Sequence, residues 1–81
     1  MYKVQRLYIE TQEASDLGTY ATLDEAKDRL VLVIEDAYER ERGLDVGSVS
    51  KCTDEAWRKG YHYFREDDGT VSSWFTIQSD I

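Results

Sequence analysis

The chain has 81 residues and no proline. It has one cysteine, one histidine and five glycines. Each scarcity excludes something. A single cysteine, Cys52, forbids an intramolecular disulfide and points to a reducing, cytoplasmic setting. One histidine, His62, and one cysteine, ten positions apart, fall short of the three or four ligands a zinc site needs. The glycines stand singly, so no glycine-rich phosphate loop exists. No long hydrophobic run is present. The longest strictly apolar stretch, Leu30 to Ile34, is too short to span a bilayer, and the N-terminus, MYKVQRLYIE, has no apolar leader region. Positive charge is also in deficit. Ten Lys and Arg face seventeen Asp and Glu, for a net charge of −7. That balance disfavours direct nucleic-acid binding and anionic membranes, because phosphate contacts need clustered cations. It suits solubility, or an acidic surface aimed at a basic protein partner.

What is present reads as one small α+β domain over residues 1–81, with no cofactor expected. Residues 2–11, YKVQRLYIET, have the β-branched and aromatic content of a strand. Leu7 and Ile9 share one face and Val4 the other, which a bulge near Gln5 would reconcile. Residues 12–17 read as a turn, and 18–22 as a short strand pairing back. Thr22 followed by Glu25 is a capping box, and Gly43 after Arg40 and Arg42 is a helix stop. A long helix is therefore predicted over about 23–42. Its apolar stripe is Leu23, Ala26, Leu30, Val33, Ile34 and Ala37, flanked by Val31 and Tyr38. A third strand is expected around Ser48 to Cys52. Residues 54–59, DEAWRK, fit a helical turn stopped by Gly60, a loop, or the start of a strand. The whole predicts an antiparallel-rich sheet of about four to five strands with one long helix on one face. The opposite face is left for solvent or a partner.

Half of the aromatic side chains lie in one stretch, GYHYFREDDGTVSSWF, residues 60–75. Asp68-Gly69 marks a hairpin turn. A two-residue loop places His62, Phe64, Val71, Phe75 and Ile77 on the core side, and Tyr61, Tyr63, Arg65 and Trp74 on the open side. A three-residue loop with Gly69 left-handed would shift the register by one and bring Tyr61 and Tyr63 inward. The two-residue form is favoured, because it buries Phe64 and leaves the Tyr hydroxyls in water.

No constellation carries catalysis. The carboxylate pairs Asp24-Glu25, Glu35-Asp36 and Asp67-Asp68 fall on a helix exterior or a turn, where nothing makes them an acid–base site. Cys52 as a nucleophile would need His62 and an orienting group in reach; it reads instead as a small hydrophobe. Two contact surfaces remain. One is the helix exterior, where Leu32 points outward among Asp28, Glu35, Asp36 and Glu39, an apolar anchor ringed by acids and suited to a basic surface. The other is the open sheet face of Tyr61, Tyr63, Arg65 and Trp74, with Arg65 expected to stack on the aromatics. In size and charge the chain is similar to many small acidic proteins encoded by phages and mobile elements, several of which block host defence enzymes, including CRISPR effectors. That resemblance implies a non-catalytic inhibitor acting by occlusion of a basic groove. A self-associating module that pairs its aromatic sheet face with a second copy is the alternative.

Overall fold

The computed structural model describes residues 1–79. The helix α1 spans Leu23–Arg42. Thr22 Oγ1 accepts the Glu25 N–H at 3.2 Å, satisfying one of the donors a helix start leaves unpaired. Gly43 closes the other end in the left-handed conformation, φ 68°, and donates its N–H to the Glu39 carbonyl. Ala26, Leu30, Ile34 and Ala37 are buried, with Val33 and Tyr38 packed beside them. Leu23, expected on the same stripe, is instead 40% exposed at the first position of the helix.

The expected third strand is absent. Residues Val46–Lys59 form a second helix, α2, which takes in both the Ser48–Cys52 stretch and the ambiguous residues 54–59. Asp45 caps it, accepting the Ser48 N–H at 2.8 Å, and Gly60 stops it at φ 83°. Val49, Thr53 and Ala56 are its buried residues, spaced i, i+4, i+7. The β-forming character of Val46, Val49 and Thr53 is overridden because this spacing lays one stripe along α1. The fold is thus α+β with two helices rather than one.

The sheet has four strands, all antiparallel, in the order β2-β1-β4-β3. They span Tyr2–Tyr8 (β1), Ala14–Tyr20 (β2), Tyr61–Arg65 (β3) and Val71–Ser79 (β4). Two hairpins therefore flank a helical hairpin, and both helices serve one core. That core joins Val4, Phe64 and Phe75 of the sheet to the α1 stripe and to Ala56 of α2. The bulge expected near Gln5 exists, but its extra residue is on β2. Val4 pairs with Gly18 and Gln5 with Asp16, so Leu17 is unmatched. β1 itself runs regularly against β4, which keeps Val4 inward and sends Leu7 to the open face. Gly18 makes the bulge possible. Its φ is 126°, and an added Cβ would lie 2.6 Å from Tyr20 Oη. Gly18→Ala is expected to cost about 1–3 kcal/mol, since strain remains even if the Tyr20 ring swings aside. A urea midpoint equal to wild type would show that the bulge tolerates a side chain.

The second hairpin combines features of both sequence-based alternatives. Glu66 N–H bonds to the Thr70 carbonyl and Gly69 has φ 89°, so the loop is the three-residue form. Alone, that loop would turn Tyr61 and Tyr63 inward. A bulge restores the register, because Arg65 pairs with Val71 but Phe64 pairs with Ser73, leaving Ser72 unmatched. Ser72 is held there by a hydroxyl bond to the Phe64 carbonyl, 3.1 Å. His62 then faces Phe75 and Tyr63 faces Trp74, the face assignment expected of a two-residue loop. Val71 lies past the bulge, half-buried and outside the core cluster where it was expected.

Candidate functional site

Helix α2 changes the surroundings of Leu32. Leu32 is 55% exposed, and Trp57 of α2, 39% exposed, lies across from it. With Asp28, Val31, Thr53 and Asp54 they line one groove of about 390 Å³ between the helices. Trp57 Nε1 donates to Asp28 Oδ1 at 3.0 Å, and the Lys27 ammonium lies 4.7 Å from the Trp57 ring centroid. The indole is thereby oriented, with apolar surface left at the groove. Glu39 lines a second hollow at the far end of the helical pair, with Leu44, Asp45 and Val46. Leu44 and Val46 are also exposed. Each hollow along the helical pair thus combines bare apolar side chains with carboxylates.

The predicted acidic cluster is divided by this geometry. Asp28, Leu32 and Glu39 open onto the furrow, and Glu35, half-buried, lies one turn from both Leu32 and Glu39. Asp36 is on the other flank of α1, ion-paired with Arg40 at 2.9 Å beside Arg29 and Leu17. Trp57, Asp54 and Val31 join the site without having been singled out from the sequence. The 49-53-56 spacing behind Asp45 was the signal that would have placed Trp57 on a helix.

On the open sheet face, Tyr63 stacks on Trp74 at 5.7 Å and 19°, and Tyr61 meets Tyr63 edge-on. Leu7 pairs with Trp74 from the other side and extends the apolar row. Trp74 Nε1 is buried without a hydrogen-bond partner, and Thr76 beside it is also buried. The centre of this outward face is therefore already dry. Arg65 does not stack there. It ends β3 on the same face as Tyr61 and Tyr63, but its guanidinium turns to the hairpin loop and donates to the Gly69 carbonyl at 3.0 Å. The cations over aromatic rings are instead Arg6, Arg42 and Lys27.

His62 faces the core side, and its Nε2 is 2.8 Å from Tyr38 Oη. Burial, chiefly, holds its pKa below the ordinary 6.5; Glu55 opposes this and Arg65 adds to it. Burial likewise raises the Tyr38 phenol. The imidazole is a half-buried group on the helix side of the sheet, bonded to Tyr38, and Cys52 is half-buried on α2. Since the folded state disfavours the imidazolium, stability is full above pH 6.5 and falls as pH drops through the lowered value. Wild type is expected to lose stability relative to His62→Gln across this window in urea titrations at stepped pH. Parallel curves for the two proteins would contradict it. The Asp45 and Asp68 carboxylates, lowered below 3.8 by their bonds to Ser48 and Thr70, add a separate loss at more acidic pH.

Among the described residues no group of three or more His, Cys, Asp or Glu is placed to hold a metal ion. No helix there is long and apolar enough to cross a membrane. Comparison with protein-family models, curated proteins and solved structures returns no significant match.

Proposed function

We propose that the chain is a non-catalytic protein-binding module that docks a basic protein surface through the furrow between α1 and α2. The observation that carries this reading is the pairing of Leu32 with Trp57 in one groove edged by Asp28 and Asp54. Tryptophan and a neighbouring aliphatic anchor supply affinity, while rim carboxylates govern steering and rate. The net charge of −7 supports a cationic partner. The finer form of the reading is an intracellular inhibitor that occludes the basic groove of a nucleic-acid-handling protein, of the anti-defence type found in phages and mobile elements. Charge and small size support that finer form.

The test is binding kinetics with a partner recovered by affinity capture. Trp57→Ala is expected to raise Kd about 30-fold or more, mainly through faster dissociation. Asp54→Lys with Glu39→Lys is expected to slow association about tenfold at low salt, and far less at high salt. Binding indifferent to both sets of changes would remove the furrow as the docking site. Displacement of nucleic acid from the partner by wild type, and not by Trp57→Ala, would support the occlusion form.

A further inference from the structure

We propose that the open sheet face is a self-association surface, on which a second copy of the chain packs to form a two-layer β-sandwich with the helices outside. The first observation is charge. The chain carries −7, yet the formal charges on this face are Lys3 and Asp16, which pair with each other at 3.5 Å, and Arg65 at its hairpin end. A partly dry face that lacks the acidic excess of the chain fits a copy of itself better than it fits a cationic partner. The second observation is the arrangement of rows across the strands. Strand pairing sets Ala14, Leu7, Trp74 and Tyr63 in one row and Asp16, Gln5, Thr76 and Tyr61 in the next.

A twofold axis parallel to the strands, midway between β1 and β4, superposes each row on its own reverse. Leu7 then meets Trp74 of the copy, and small Ala14 meets bulky Tyr63. Asp16 meets Tyr61, whose hydroxyl is a donor for the carboxylate, and Gln5 meets Thr76. A twofold across the strands would instead set the apolar row against the Thr19, Lys3 and Gln78 row. Apolar matching therefore selects the first axis, with the sheets about 10 Å apart. Four strands and seven residues give a face of roughly 450 Å² in projection, small beside the roughly 800 Å² per partner of stable interfaces. The dimer is accordingly concentration-dependent.

The same axis gathers the acidic turns of both copies at one end. Glu10 and Glu13 lie in the β1–β2 turn and Asp68 in the β3–β4 turn, which is at the same end of the sheet; Glu66 and Asp67 there are paired with Arg42 at 3.3 and 3.7 Å. Added salt should therefore strengthen self-association, the opposite of its effect on a basic partner.

Sedimentation equilibrium over a dilution series up to about 0.5 mM tests this. The expected result is a monomer–dimer equilibrium that tightens with salt. Leu7→Lys and Tyr63→Lys should each weaken it at least tenfold, and Leu32→Lys should leave it unchanged. Ala14→Lys, at an exposed edge position, serves if circular dichroism shows that Leu7→Lys is misfolded. A monomer at every concentration overturns the proposal. So does a dimer that survives the face variants, or one that Leu32→Lys dissociates. The face variants leave the furrow reading untouched, since that reading is tested at Trp57, Asp54 and Glu39; a dimer that Leu32→Lys dissociates would instead place self-association at the furrow.

Discussion

Phe64→Ala is expected to remove a large share of the domain's stability and to lower its urea midpoint sharply. Phe64 is fully buried on β3, with Tyr38 at 4.7 Å and Phe75 at 6.1 Å between ring centroids. The guanidinium groups of Arg6 and Arg42 also lie on it, 5.2 and 4.6 Å from the ring. Truncating a buried Phe costs about 3–5 kcal/mol. A chain of this length has only about 4–12 kcal/mol in all. The loss is aggravated because the cavity would be walled by two cations, which an apolar void does not solvate. Tyr63→Ala, one residue earlier and 44% exposed, is the control, expected to cost about 1 kcal/mol. Urea denaturation of the two variants also tests the hairpin. If Tyr63→Ala were the damaging change and Phe64→Ala the mild one, the Ser72 bulge would be misplaced and the strand one residue out of register.

Arg6→Ala is the second large effect, expected at about 2–4 kcal/mol. Arginine on the inner face of a sheet would ordinarily be unfavourable. Here its side chain is 11% exposed, and three rings, Tyr8, Phe64 and Phe75, lie within 5.2 Å of the guanidinium carbon. Nε donates to Ser73 Oγ at 3.0 Å, and the two terminal nitrogens bond bidentately to Glu41 at 2.7 and 3.1 Å. The residue thus acts as a wedge that fills space and pins the end of α1 to the sheet. Truncation to Ala removes the filling as well as the pairing. Arg6→Met keeps most of the volume and should recover more than half of the loss, as apolar replacements of buried pairs often do. Glu41→Gln, at a half-exposed partner, should cost about 1 kcal/mol or less. Equal losses for Arg6→Met and Arg6→Ala would show that the charge, not the packing, carries the effect.

The two hairpins show why the site was only partly legible. The acids around Leu32 could be placed on one helix face from the sequence, because α1 has strong local signals at both ends. Trp57 could not be joined to them, since its own helix competes with a strand reading in which Val46, Val49 and Thr53 favour extended backbone. The sheet aromatics were sorted onto the faces that β3 and β4 give them, but by a different route. Asp68-Gly69 forms the wider loop, and Ser72 absorbs the offset. Arg65 takes the aromatic side of β3 as alternation expects, but the Gly69 carbonyl of the wider loop draws its guanidinium away from the rings.

The features readable from the amino-acid order alone are local. Thr22, Glu25 and Gly43 set the limits of α1, and the i, i+3, i+4 stripe set its buried face. Gly60 set a stop whatever preceded it, and Asp68-Gly69 set a hairpin. Interactions within a few residues suffice for each of these, because capping bonds and turn conformations are made by neighbours. The remaining features depend on packing between residues far apart in the chain. Residues 46–59 are a helix because Val49, Thr53 and Ala56 find the flank of α1, a burial worth more than the modest strand preference of those side chains. Leu7 faces outward because β4 holds β1 in a regular register and gives the core to Val4 and Arg6. Leu32 becomes half of a groove only when Trp57, 25 positions later, is brought beside it.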